Sequence, residues 1–294
     1  MPLSRSAHAD TFARDRLPPE DQWPELTFDL PELEHPERLN CAQRLVDDAI
    51  ERHGPDRRAL LTASTEWTYG DLRDNADRVA ALLAGPFGLQ PGNRVLVRAP
   101  NNPWLVAIWL GILKAGGVVV LTMPLLRASE LVTTIELTRP QLAICDHRFR
   151  DALEEARSAT QADLDVVPYG GGGADDLVNR AESEHPVFDA VQTAADDVAL
   201  LALTSGTTGR PKVTMHFHRD VLAIADTFSR HVLRPDSSDL FTTTAPFAFT
   251  FGLGAGLVFP LRAGAATFLI ERATPDELAD AVAEHGVTVL FTAP

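Results

Sequence analysis

Cysteine is nearly missing from this sequence: Cys41 and Cys145 are the whole complement in 294 residues. Two thiols make no disulfide framework, and neither has a metal partner by spacing. Both therefore read as buried apolar side chains in a reducing compartment. Positive charge is scarce as well. Against 41 Asp and Glu stand 26 Lys and Arg, a net charge of −15 with a pI near 4.9. A nucleic-acid surface needs clustered cations, so that class is excluded. No secretory leader is expected, because Met1–Arg16 carries His, Asp and Arg instead of an apolar run. The longest apolar stretch, Pro103–Leu126, is interrupted by Lys114 and by Gly116-Gly117. It reads as a buried helix, a turn and a buried strand, not as a membrane span. Fixed-period repeats are also lacking. A cytoplasmic globular protein without membrane or nucleic-acid partners is expected.

What is present alternates. Residues up to Pro36 form a Pro-, Glu- and Asp-rich arm expected to lie over the surface. Asn40 then caps an amphipathic helix with Ala42, Leu45, Val46, Ala49 and Ile50 on one side. Thr68-Tyr69-Gly70-Asp71 resembles a capping box and opens a second helix carrying Leu72, Ala76, Val79, Leu82 and Leu83. Strands are expected at Arg94–Arg98, Val118–Thr122, Gln141–Cys145, Leu164–Val167 and Val198–Leu203, with helices from Pro103 and over Ser129–Leu137. Lys114 reads as a helix-end cation set against the dipole. Gly170–Gly173 is expected to be flexible. Late in the chain come an apolar helix Leu253–Leu261, a strand Ala265–Ile270, a helix capped at Thr274 and a strand Val287–Thr292. The fold class is α/β, with layered parallel-rich sheets and flanking helices. The expected divisions are an arm (1–36), a first α/β subdomain (37–190) and a second one (191–294). The strand before Pro294 lacks any closing element, which leads to the expectation that the large domain is incomplete.

The chemistry concentrates in Thr204-Ser205-Gly206-Thr207-Thr208-Gly209-Arg210-Pro211-Lys212. Glycines let backbone N–H groups converge on an anion, hydroxyls donate to phosphate oxygens, and Lys212 supplies a mobile charge. From Val198 through Arg219 there is no acidic residue, while Arg210, Lys212 and Arg219 are cationic. This is no Walker loop: Pro211 separates glycine from lysine, and Val213–His216 reads as a second strand in place of a helix. The phosphates would sit on a strand–loop–strand hairpin.

That loop resembles the phosphate-loop signature of the adenylate-forming superfamily of acyl- and aryl-CoA ligases, peptide-synthetase adenylation domains and luciferases. Trp67–Leu72, Leu113–Gly117 and Pro246–Leu253 match in the same order, so the resemblance covers nearly the whole chain. Leu17–Cys41 and Met215–Asp220 look most like benzoate- and 2-aminobenzoate-CoA ligases. The resemblance implies a two-step activation of an aromatic acid with ATP, Mg2+ and coenzyme A, in aromatic-compound catabolism. It places Thr204, Ser205, Gly206, Thr207, Thr208, Gly209 and Lys212 on the ATP phosphates. Val213 departs from the family, which usually has glycine there. The Tyr-Gly-x-Thr-Glu segment, the ribose aspartate and the lysine of a mobile C-terminal domain are not in these residues. No catalytic residue is therefore assigned, and the fragment alone is expected to be inactive. Two other readings stand beside this one: an aryl-acid adenylating enzyme that loads a carrier protein, and a non-catalytic nucleotide-binding short form.

The segment Leu240–Ile270 holds six phenylalanines and no acid, which suits an aromatic substrate. Most of those rings read as core. By resemblance Phe249 flanks the acyl substrate, and Phe251 points the same way if the segment is extended. Gly252 joins them as a substrate-pocket residue. His216 falls where relatives keep a pocket histidine. It would share a strand face with His218, but a third ligand is lacking and no metal site is assigned.

Overall fold

The computed structural model describes residues 3–185, 187–204, 211–272 and 274–292. After an arm with short 3-10 turns come α1 (Cys41–His53), β1 (Arg58–Leu61), β2 (Glu66–Thr68), α2 (Tyr69–Ala84), β3 (Arg94–Arg98) and α3 (Pro103–Lys114). Next are β4 (Val118–Thr122), α4 (Ala128–Thr138), β5 (Leu142–Asp146), α5 (Arg150–Thr160), β6 (Asp165–Tyr169) and α6 (Leu177–Ala181). The chain continues through β7 (Val198–Thr204), β8 (Lys212–Phe217), α7 (His218–Ile224), a π-helical run Ala225–Leu233 and β9 (Leu240–Thr243). It then runs through α8 (Thr250–Leu253), a second π-helical run Gly254–Val258, α9 (Phe259–Ala263), β10 (Ala266–Phe268), α10 (Pro275–His285) and β11 (Val289–Phe291).

Local chemistry explains where these elements start. The Asn40 side chain accepts the Ala42 N–H, the Thr68–Asp71 box closes in both directions, and Asn102 caps α3 with Pro103 in its first turn. The α3 helix stops because Gly116 takes a left-handed conformation, φ +77°, that other residues rarely adopt. No described helix is long and apolar enough to cross a membrane.

Two sheets result. One has the order β6-β5-β3-β4-β7-β8 and is parallel except for the β7–β8 pair. The other runs β11-β9-β10-β1-β2 and is parallel except for β1–β2. Both draw strands from either side of residue 190, so the sheets, taken as units, do not divide there. Side-chain alternation sets the layers. Val95 and Val97 of β3 enter a core shared with α1, α2, α3 and the second sheet, while Leu96 packs with α4 and α5. Val118 and Val120 of β4 point away from that core and are covered by the arm through Ala13, Leu17 and Trp23.

The arm is thus more than a surface drape. Its Ser4 and Ala7 N–H groups donate to Asp196 and Asp197 at 2.9 Å, and Asp10 pairs with Arg94. The Gly170–Gly173 run is also ordered, because the Asp176 carboxylate accepts the N–H groups of Gly171 and Gly172. Lys114 does end α3, as expected, but it does more than face the dipole. It is buried and paired with Asp77 at 2.6 Å and Asp47 at 3.2 Å, tying α1, α2 and α3 together. The expected helix Leu253–Leu261 is a longer helical run that opens at Thr250 and carries the π-helical stretch Gly254–Val258.

Candidate functional site

Open α/β sheets bind ligands outside the carboxyl ends of their strands. In this molecule those ends bring together the segments after β3, β4 and β5 of the six-stranded sheet and those after β9 and β10 of its neighbour. The β7–β8 hairpin marks one side. Thr204 ends β7 opposite Lys212, which starts β8, and both are exposed at its mouth. Lys212 makes no ion pair among the described residues. Ser205, Gly206, Thr207, Thr208 and Gly209, expected to hold phosphates, lie outside the described residues. Val213 sits half-buried in β8 against Leu203, where a β-branched side chain suits the strand.

Beside the hairpin, between the two sheets, is a cavity of about 650 Å3 whose lining includes Asn101, Met123, Leu125, Arg148, Phe149 and Pro246. Three side chains missed by sequence reasoning build it. Asn101 accepts the Phe247 N–H at 2.9 Å and donates to the Ala245 carbonyl at 3.1 Å, fixing the segment before α8. Arg148 grips Asp146 and Glu271 with bonds of 2.6–2.9 Å, so the carboxyl ends of β5 and β10 are tied across the gap. Those carboxylates, Asp146 foremost, hold its guanidinium pKa above the ordinary value. The third is Arg98, buried beneath the loop that follows β4. Asn101 had a usable signal in the Asn-Asn-Pro run; the partners of the two arginines are distant and carry none.

The expected substrate-pocket residues do not all gather. Phe249 is the residue before α8 and is 46% exposed. Phe251 lies inside that helix, 48% exposed, with its ring 6.0 Å from Phe291. The extended segment that would point both rings one way is absent, because residues two apart on a helix face different directions. Gly252 is buried, and a Cβ there would meet the Pro246 carbonyl oxygen at 2.4 Å. The helix can approach the 245–246 backbone only at a glycine. Of the six phenylalanines in this segment, the other four (Phe241, Phe247, Phe259 and Phe268) are core.

His216 lies four residues along β8 from Lys212, roughly 13 Å in an extended strand. Lys212, Thr214 and His216 share one face, and the His216 Nε2 lies 3.0 Å from the Thr214 hydroxyl. Burial lowers the pKa of His216, with Asp220 opposing. His218 is not its neighbour on a strand face. β8 ends at Phe217, and His218 opens α7, fully buried, with Nδ1 accepting the Cys41 N–H at 3.2 Å. Burial pushes this imidazole down to about 3. Both cysteines are buried and free, and burial raises the pKa of each thiol. Among the described residues no group of three or more His, Cys, Asp and Glu is arranged to hold a metal.

This arrangement can present a cation and hydroxyls to an anion at the hairpin, and an apolar cavity to a second ligand beside it. A family model described as AMP-binding enzyme matches residues 46–294. Benzoate–CoA ligase of Thauera aromatica is 28% identical over 265 residues, 90% of this chain and 50% of the relative. p-Hydroxybenzoic acid–AMP ligase of Mycobacterium tuberculosis is 30% identical over 258 residues, 87% of this chain and 34% of the relative. A benzoate CoA ligase structure from Burkholderia xenovorans LB400 superposes with a TM-score of 0.78 at 26% identity, covering 86% of this chain and 50% of its own. The anthranilate CoA ligase AuaEII, solved with anthranoyl-AMP, gives 0.81 over 89% of this chain and 51% of its own. At 24% identity that likeness speaks for the fold alone. The chain spans about half the length of these CoA ligases.

Proposed function

The chain belongs to the AMP-binding enzyme family, and on that premise we propose that the enzyme it helps to build activates an aromatic carboxylic acid for transfer to coenzyme A. A carboxylate oxygen attacks the α-phosphorus of ATP, and pyrophosphate leaves with the α–β bridging oxygen. The thiol of coenzyme A then attacks the acyl carbon, and AMP departs. Both steps depend mainly on positioning and on neutralising phosphate charge.

The observation that carries this reading is the hairpin mouth, where Thr204 and Lys212 face each other at the carboxyl edge of the six-stranded sheet. An exposed lysine without an ion pair among the described residues fits a polyphosphate. Mg2+ enters as the ATP complex. The acid is of the benzoate type, with 2-aminobenzoate the leading candidate. Relatives described as acting on benzoate and hydroxybenzoates support the class, and the half-exposed Phe249 ring offers a flat face to an aryl group. His216 is assigned to the same pocket, and Gly252 shapes it through the close approach it permits, whereas Phe251, turned toward Phe291, is left out. The protein works in the cytoplasm. Transfer to a carrier-protein thiol is the second reading, favoured by the relative described as an acid–AMP ligase.

The test is a panel of benzoate, 2-aminobenzoate, acetate and octanoate, scored for acyl-CoA with the full-length protein. Aromatic acids should lead, and adenylate without acyl-CoA would favour the carrier-protein reading. If acetate or octanoate outperforms every aromatic acid, the substrate class is wrong. Lys212→Ala should lower kcat/KM for ATP roughly ten- to a hundred-fold, the worth of one charged hydrogen bond. An unchanged ATP dependence would remove Lys212 from the phosphates.

A further inference from the structure

Arg98 ends β3 with 2% of its surface exposed. A buried charge ordinarily meets an opposite charge, yet no carboxylate pairs with Arg98 among the described residues. Its guanidinium is instead surrounded by main-chain carbonyls. Nε donates to Phe149 at 3.0 Å and Nη1 to Met123 at 2.9 Å, while Nη2 donates to Pro124 at 2.7 Å and Leu126 at 2.8 Å. These acceptors are not scattered. Met123, Pro124 and Phe149 all line the cavity between the sheets.

Leu125 sits between two of the anchored carbonyls. It lines the same cavity, yet 83% of its surface is exposed. Holding a leucine in solvent brings no burial energy, so the loop geometry is set by the cation beneath it and not by the side chain above. We propose that Arg98 is a positioning residue. It fixes the 123–126 loop and Phe149 as one wall and holds Leu125 at the cavity mouth, where a substrate other than ATP covers it. The occupant is the aromatic acid, because Met123, Leu125 and Phe149 give the cavity an apolar wall, while the hairpin offered to phosphates is carried by β7 and β8. The inference rests on the ligase reading above. Only a planar fork of five donors serves four carbonyls at once; a lysine ammonium keeps the charge and loses that geometry.

Arg98→Lys and Leu125→Ala in the full-length enzyme test this, with KM measured for ATP, benzoate and coenzyme A. Amide exchange of residues 123–126 is followed in parallel. Arg98→Lys should raise KM for benzoate about ten-fold or more, leave KM for ATP and for coenzyme A within about twofold, and speed exchange in the loop. Leu125→Ala, at an exposed position that does not endanger folding, should raise KM for the same substrate. The inference is overturned if Arg98→Lys lowers only the melting temperature, with all three KM values and the loop's exchange unchanged. It also falls if the two variants affect different substrates. A wild-type enzyme that forms no acyl-CoA or acyl-AMP refutes the ligase reading, while the exchange measurement still decides whether Arg98 holds the loop.

Discussion

Lys114 and Lys212 are the only lysines in the sequence, and the structure puts them to opposite uses. Lys114 is 1% exposed and closes an ion cluster with Asp77 and Asp47 among three helices. Lys212 stands at an exposed hairpin mouth. Two histidines two residues apart repeat the contrast: His218 is fully buried and His216 half-buried. The lesson is that residue type does not assign a role. A flexible ammonium that is desolvated becomes a tie between helices, whereas one left in water keeps its donors for a ligand.

Breaking the buried side should give the largest effect. Lys114→Ala leaves the Asp77 carboxylate in a site where burial raises its pKa against the opposing pull of Lys114. Removing one partner of a buried pair costs about 3–5 kcal/mol, read as a lowered urea midpoint at unchanged slope. Lys114→Ala with Asp77→Leu should recover part of that loss. A single-variant cost below about 1 kcal/mol would place the cluster in water after all. Lys212→Ala, by contrast, should leave the midpoint where it is.

The histidine pair gives a smaller effect and a pH signature. The His218 Nδ1 accepts the Cys41 N–H, so it cannot also carry a proton. Its folded pKa of about 3 lies well below the ordinary 6.5. A depressed histidine pKa means the unfolded chain binds more protons, so stability is full above pH 6.5 and is lost as pH falls toward 3. The loss is about 1.4 kcal/mol per pH unit in that window, or roughly 2 kcal/mol at pH 5 relative to pH 7.5. In His218→Gln the amide oxygen can accept the same N–H and does not titrate, so the slope between pH 4 and 6.5 should flatten. Equal slopes in both proteins would show that His218 is reached by water.

What the sequence made legible follows from where the partners sit. β3 and β4 are read to the residue because β-branched runs are bounded by turn signals, and the caps at Asn40 and Thr68 are local. The Phe249–Phe251 geometry was not readable, since FAFTFGLG suits a strand or a helix and the choice is made by the tight approach of Gly252 to Pro246. His216 and His218 part at a boundary one residue wide. The glycine run carried a missed signal in Asp176, a turn-forming carboxylate a few residues on. Arg98 is a harder case. Its acceptors are carbonyls 25 to 51 residues away, and a carbonyl has no letter in the sequence.

The smallest effect concerns Phe249, which lies between the two extremes set by the lysines. Were the ring a fully enclosed wall, truncation would cost lost packing and a void, about 3 kcal/mol or more. With 46% of its surface exposed, roughly half of a phenylalanine's transfer energy is at stake, and an open site leaves no sealed cavity. Phe249→Ala should therefore lower kcat/KM for benzoate by about 1 kcal/mol, roughly fivefold, with KM for ATP unchanged. Thermal stability should stay level, because an exposed ring contributes little to folding. A loss of a hundred-fold or more would mean that substrate encloses the ring completely, moving Phe249 to the buried side of the comparison. No loss at all would take the aromatic ring away from Phe249 and leave the Leu125–Phe149 wall of the 650 Å3 cavity to hold it alone.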